Sequence, residues 1–340
     1  MMNTPLLELR DVNMVFNKPG ALIGHERKFH VLKNVNMTIH TGEILALVGE
    51  SGCGKTTVGK IITGLLKPTS GQLLFEGKDI SRQFGVDYNH YRNSVQFIQQ
   101  DSYAALNPVR TIYQSMCAAV SSVKKHLTVE QKERIVSELL ENVGLAPAEQ
   151  FLYKYPHQMS GGQRQRVLMA RALALNPKII VADEPVSMID VSLRISILNL
   201  MLRLNRERGI SFVYITHDLA TAKYIANEGR IHVMYLGEIM EKAKLNTLLT
   251  SPKHPYTQAL VSAVPVPDPK IARTQRPIPI RNMELMSLEF RGEGCPFAGR
   301  CPYATEVCAA PVPYKQFPDG AEVKCVLDKT PFVLNYEIEI

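Results

Sequence analysis

The apolar residues of this chain come first in short runs, then at helical spacing, and finally break up on prolines. In the opening segment Leu6-Leu7-Glu8-Leu9, residues 12–16 and residues 31–39 read as β-strands. Glu43-Ile44-Leu45-Ala46-Leu47-Val48 reads as a strand buried on both faces, because its apolar run carries no polar alternation. Residues 17–28, with Pro19, Gly20 and Gly24, predict an inserted loop, and residues 71–76 a further short strand. From about residue 101 to 170 the spacing is helical. Thr128-x-x-Gln131 predicts a capping box; Ile135, Val136, Leu139, Leu140 and Val143 then share one face, and Gly144 can end that helix. Strand character returns at residues 179–182 and 210–215, with Ser192 expected to cap a helix running towards Gly209. Beyond about residue 250 the prolines (252, 255, 265, 267, 269, 277 and 279) predict a loop-rich extension.

One apolar run leads straight into Gly49-Glu50-Ser51-Gly52-Cys53-Gly54-Lys55-Thr56, which fits G-x-x-x-x-G-K-[ST] without a mismatch. A strand before it and a helix over residues 55–66 after it supply the context that a phosphate-binding loop requires. Gly49, Gly52 and Gly54 let successive N–H groups turn inward, Lys55 offers a point charge to the β- and γ-phosphates, and Thr56 offers a hydroxyl to Mg²⁺. Thr57 follows in the helix start, where the dipole favours an anion. ATP and Mg²⁺ are the expected ligands.

A second run, Ile179-Ile180-Val181-Ala182-Asp183-Glu184, ends in two acids at the carboxyl edge of a parallel strand. Asp183 is expected to hold Mg²⁺ and Glu184 to polarise an attacking water.

The bulk numbers change this picture little. A chain of 340 residues suggests two domains or one large one with an appendage, and 45% hydrophobic with 21% charged residues is ordinary for a globular protein. No run approaches a membrane span, and the N-terminal residues lack a basic and apolar leader, so a cytoplasmic protein is expected. The net charge of +7 comes without a run of basic residues, so nucleic acid is not expected as a partner.

Ser160-Gly161-Gly162-Gln163 followed by a helix-forming stretch is a second phosphate-type site, and here the chain resembles the ATP-binding cassette (ABC) ATPases. Met159 stands where that signature usually has Leu. The resemblance implies an α/β P-loop NTPase with a RecA-like parallel core, an antiparallel β-subdomain, a helical subdomain at about residues 101–170 and a small C-terminal extension. It implies that Ser160 to Gln163 face the γ-phosphate bound by the other subunit of a dimer. It assigns His217, after what reads as the last core strand, to the γ-phosphate and catalytic water, and Gln100, rather than its neighbour Gln99, to Mg²⁺, water and a membrane partner. Phe16 is a candidate for stacking on adenine, a buried strand residue being the competing reading. The stretch Ser187-Met188-Ile189-Asp190 departs from the family's Ser-Ala-Leu-Asp but keeps Asp190.

Glu50-Ser51-Gly52-Cys53-Gly54, the segment from Gln100 to Pro108, Asp183-Glu184-Pro185-Val186-Ser187 and His254-Pro255-Tyr256-Thr257 together resemble the oligopeptide/dipeptide/nickel branch of ABC importers. That likeness implies a nucleotide-binding domain over residues 1–250 and an extension over 251–340. It implies a peripheral subunit on the cytoplasmic face of the membrane, working with two transmembrane permeases, a sister ATPase and, indirectly, an extracytoplasmic binding protein. Oligopeptides or dipeptides are the default cargo, nickel complexes and oligosaccharides the alternatives. A soluble ABC ATPase acting on nucleic acid or ribosomes is the rival class.

Cys295, Cys301, Cys308 and Cys325 crowd beyond residue 294, a pattern that suits zinc or an iron–sulfur cluster better than disulfides in a cytoplasmic chain. Their spacing lacks C-x-x-C pairs; members of the resembled branch carry a [4Fe-4S] cluster, which the resemblance therefore implies, with zinc as the alternative. Nothing in the sequence places Arg300 or His254 beside them.

Overall fold

The computed structural model describes residues 5–19, 26–80, 85–264, 270, 273, 278–281 and 292–328. Two sheets carry the molecule. The smaller is antiparallel: β1 (Leu7–Pro19) lies between β2 (Glu26–Ile39) and β4 (Ser70–Phe75), with β5 (Lys78–Asp79) beyond. Of the expected loop over 17–28, residues 17–19 and 26–28 are strand, because β1 and β2 continue pairing out to Asn17–Lys28 and Pro19–Glu26; residues 20–25 lie outside the described residues. The two predicted strands before it are one bulged strand, with Asp11 at φ 48 beside a register shift.

The larger sheet begins with β3 (Ile44–Val48), the strand that feeds the phosphate loop into helix α1 (Lys55–Ile62). After helix α2 (Val86–Ser94) come β6 (Val95–Ile98), β7 (Ile179–Asp183) and β8 (Ser211–Thr216). β9 (Arg230–Tyr235) and β10 (Glu238–Lys244) follow, and the C-terminal segment adds β11 (Lys315–Gln316) and β12 (Glu322–Val323). The order is β11-β12-β10-β9-β3-β8-β7-β6, parallel from β9 through to β6 and antiparallel outside. Every residue of β3, β7 and β8 is buried, as strands covered on both faces must be. Residues 230–244 carry no clear alternation, so β9 and β10 are not foreseen in the sequence; β8 is therefore not the last core strand, and β9 lies on the other side of β3.

Between β6 and β7 stands a helical layer: α3 (Ile112–Val123), α4 (Val129–Asn142), α5 (Glu149–Leu152) and α6 (Gly161–Leu173). Capping boxes start three of these helices, at Thr111/Gln114, Thr128/Gln131 and Ser160/Gln163, each satisfying two otherwise orphaned N–H groups. Val136, Leu139, Leu140 and Val143 are buried together as their spacing predicts, with Ile135 packed at the edge. Helix α7 (Val191–Arg208) begins at Asp190 rather than at Ser192 and ends on Gly209 in the left-handed region. Further along come α8 (Leu219–Ile225), α9 (Leu245–Thr250) and α10 (Pro255–Ser262).

Of the segment beyond residue 250, Pro265, Pro267, Pro269 and Pro277 lie outside the described residues; the described part is fastened to the sheet. Besides the pairing of β12 with β10, the fully buried Glu241 of β10 accepts the N–H groups of Lys253 (3.0 Å) and His254 (2.8 Å). Among the described residues no helix is long and apolar enough to cross a membrane.

Candidate active site

At the carboxyl edge of the parallel strands lies a cavity of 610 Å³, lined by the loop residues 49–52 and 54–57 with Gln100, Glu184 and His217, and flanked by Val31 and Leu260. The loop can reach this position only with glycine at its first residue: a Cβ on Gly49 would stand 2.1 Å from the Met234 carbonyl of β9. Gly54, at φ 108, turns the chain into α1. Lys55 is buried, and its Nζ donates to the Gly49 and Glu50 carbonyls at 2.7 and 2.8 Å, folded back on its own loop. Cys53 is buried behind the loop, and burial pushes its thiol pKa up.

Sheet order explains how two distant acids arrive here. β7 sits beside β8, one strand removed from β3, so Asp183 and Glu184 emerge next to the loop. Asp183 is buried, which holds its pKa above the carboxylate value, while the Thr56 hydroxyl bonded to it pulls the other way. The two expected Mg²⁺ ligands are thus already in contact, and a hydroxyl beside a carboxylate fits a hard cation. Glu184 takes the unusual φ of 45 and is held from two sides. Gln100 Nε2 donates to its Oε2 at 3.0 Å, and His217 Nδ1 lies 2.9 Å from its Oε1. Gln100 follows β6 and His217 follows β8, so three strand ends converge on one carboxylate.

The other sequence candidates fall elsewhere. The Ser160 hydroxyl accepts the Gln163 N–H, and the Gln163 side chain accepts the Ser160 N–H. Gly161 approaches Met188, while Gly162 packs beside Ile189 and Leu193. Neither this segment nor the exposed Asp190 lines the cavity. Phe16 is 40% exposed, which removes the buried-strand reading, and it too lies outside the cavity lining.

The four C-terminal cysteines lie within electrostatic reach of one another. Burial first, and the other thiols after it, raise the pKa values of Cys295 (to about 12), Cys301 and Cys325. Backbone N–H groups oppose this by pointing at sulfur: Phe297 at Cys295, Tyr303 at Cys301, Leu327 at Cys325. Such donors favour thiolate, the form that binds a metal, so the donor chemistry fits a metal–thiolate centre. Among the described residues, however, no three His, Cys, Asp or Glu side chains stand at metal-ligand spacing.

Sequence reasoning missed the residues that contact Glu50 from behind. Tyr256 Oη accepts the Glu50 N–H at 3.0 Å, and Arg300 Nη1 donates to both Glu50 carboxylate oxygens at 3.0 and 2.9 Å. Only the string His254-Pro255-Tyr256 hinted at Tyr256, and nothing flagged Arg300 as a partner of the loop.

A phosphate loop ending β3, an Asp–Glu pair ending β7 and a glutamine and histidine converging on that glutamate define a P-loop ATPase. Residues 32–187 match the family described as ABC transporter, and residues 240–308 match the oligopeptide/dipeptide transporter C-terminal region. The chain is 40% identical to a putative oligopeptide transport ATP-binding protein, YkfD, of Bacillus subtilis, over 96% of this chain and 97% of that one. It is 42% identical to a probable peptide ABC transporter ATP-binding protein, y4tS, of Sinorhizobium fredii, over 86% and 81%. Among solved structures, the dimeric post-hydrolysis state of the cassette MJ0796 bound to ADP and Pi matches with a TM-score of 0.62 at 32% identity, covering 70% of this chain and 98% of that one. The chain belongs to the ABC transporter ATP-binding proteins, and it is an ATPase.

Proposed function

We propose that this chain is the ATP-hydrolysing subunit of an importer of oligopeptides or dipeptides, seated on the cytoplasmic face of the membrane. The observation that carries this reading is the extent of the likeness: it runs through the C-terminal region as well as the cassette, to relatives named for peptide transport. Two transmembrane permeases, a sister ATPase and an extracytoplasmic binding protein complete the machine. Residues 1–250 act as the nucleotide-binding domain and 251–340 as an extension attached to it.

In this reading the ATP phosphates lie over residues 49–57, and Lys55 exchanges the Gly49 and Glu50 carbonyls for the β- and γ-phosphates. Thr56, Asp183 and Gln100 would hold Mg²⁺, which when bound neutralises phosphate charge. Glu184 takes the proton of the attacking water, oriented through Gln100 and His217. Phe16 stacks on adenine. Ser160, Gly161, Gly162 and Gln163, with Asp190, serve the ATP held by the partner subunit. Their absence from the lining of this chain's own cavity supports that division, as does the dimeric form of the similar cassette MJ0796. ATP binding favours the closed dimer over the open one and so drives the permeases; hydrolysis resets them.

Cys295, Cys301, Cys308 and Cys325 hold a [4Fe-4S] cluster in this proposal, a staple for a segment with little core of its own. His254 supports it: its Nδ1 accepts the Tyr256 N–H, so Nε2 carries the proton and faces Cys295 Sγ at 3.9 Å. Anaerobic purification should yield four iron and four labile sulfide per chain; zinc in their place, or neither, overturns this part alone.

The importer is tested by mass spectrometry of what co-purifies with the chain from detergent-solubilised membranes of its host. Two polytopic proteins, a second ATPase and a binding protein loaded with peptides are expected. A binding protein loaded with nickel complexes or oligosaccharides would overturn the peptide cargo, and ribosomes without membrane partners would overturn the importer.

A further inference from the structure

Glu50 is an awkward residue where it stands. It is the second residue of a loop that must receive a polyphosphate, and it is one of the residues that line the cavity. An unpaired negative charge there opposes ATP, and a loop of small residues has little of its own to fix it. Both of its ends are held by the C-terminal part of the chain. Its N–H is accepted by Tyr256 Oη from α10, and its carboxylate is spanned by Arg300 Nη1 from the segment between Cys295 and Cys301. The Arg300 side chain is only 9% exposed, and its Nη1 also donates to Tyr235 Oη of β9 at 3.2 Å. Tyr235, Tyr256 and Phe297 pack as a triad with ring centroids 4.6 to 5.3 Å apart, and the guanidinium lies over the Tyr235 and Phe297 rings. A strand, a helix and the cysteine-bearing segment thus converge on one phosphate-loop residue.

We propose that Arg300 is a positioning residue for ATP: it neutralises Glu50 and draws that carboxylate away from the phosphates, making the cysteine-bearing segment a working part of the nucleotide site. Tyr256 fixes the backbone of the same residue, so the loop is set in place before nucleotide arrives. The inference rests on the ATPase identity of the chain and not on its cargo or on any metal, so it fails or stands separately from the importer reading.

The test uses the full-length chain, with ATP·Mg²⁺ binding by calorimetry and steady-state hydrolysis. Arg300→Ala should weaken ATP binding about tenfold and raise KM in step, with kcat at saturating ATP within about twofold of wild type. Arg300→Lys should recover part of the loss, because it keeps the charge but not the planar guanidinium. The decisive variant adds Glu50→Gln to Arg300→Ala: with the stranded carboxylate gone, affinity should return to within about threefold of wild type. A merely structural role for Arg300 predicts no such rescue. If Arg300→Ala does not fold, Arg300→Met keeps the stem against Tyr235 and Phe297 and takes its place in the same comparison. Unchanged ATP affinity on losing the guanidinium, or no rescue by Glu50→Gln, overturns the proposal.

Discussion

Replacing Glu184 by Gln isolates one proton acceptor from an otherwise intact site. The swap conserves volume, and the amide oxygen can still accept from Gln100 Nε2 or from His217 Nδ1, which now lie 3.0 and 2.9 Å from the carboxylate. Gln is no easier than Glu at φ 45, so the backbone has the same reason to hold its shape. The folded chain should therefore lose less than about 1 kcal/mol, the net worth of one hydrogen bond. Catalysis should lose far more. A positioned general base contributes about 10²- to 10⁴-fold, or roughly 3–5 kcal/mol of barrier, and an amide cannot take the water's proton. ATP binding should be kept, because Lys55, Thr56 and the loop N–H groups are untouched. Phosphate release at saturating ATP measures the first effect, calorimetry the second, and size-exclusion chromatography with ATP should show an accumulated dimer. A kcat within about threefold of wild type would refute the assignment of Glu184 as the base. Loss of ATP binding would refute the claim that binding and proton transfer are divided between the loop and this carboxylate.

Asp183→Asn should stop hydrolysis yet make the nucleotide-free chain more stable. Burial raises the folded pKa above 3.8, so stability is whole below that value and falls as pH rises through the raised one. At neutral pH the ionised group is a net cost that Asn removes while still accepting from Thr56; melting should rise by about 2–4 °C for each kcal/mol recovered. His232 and His254 make the opposite prediction. Both are buried, and burial drives His254 down to about 3 and His232 well below 6.5. Stability is therefore whole above pH 6.5 and declines below it by up to about 1.4 kcal/mol per pH unit for each ring. Urea midpoints between pH 8 and 5 should show this, and His232→Leu should remove one ring's share of the slope, since among the described residues neither nitrogen of His232 has a hydrogen-bond partner to lose.

The catalytic half of this protein is legible in its sequence because its chemistry is local. The phosphate loop, the Asp183–Glu184 pair and the Thr128/Gln131 capping box are short strings whose geometry follows from adjacent residues, and β3, β7 and β8 announce themselves as unbroken apolar runs. The hairpin of β1 and β2 is hidden because Pro19, Gly20 and Gly24 signal a loop that strand pairing overrides as far as Pro19 and Glu26. β9 is hidden for a related reason: Arg230 and His232 interrupt its apolar pattern, although His232 is fully enclosed. The contact of Arg300 with Glu50 spans 250 positions of chain, and no local pattern encodes it. That contact alters what the extension is for. Read as sequence, residues beyond 250 are a proline-broken appendage with four cysteines. In the fold, Glu241 clamps their start, β12 joins residues 322–323 to the sheet, and Arg300 delivers a charge to the loop that receives ATP. A segment held to the sheet before and after such a contact cannot loosen without disturbing the nucleotide site. Whatever stabilises the cysteine-bearing segment therefore also acts on the affinity for ATP.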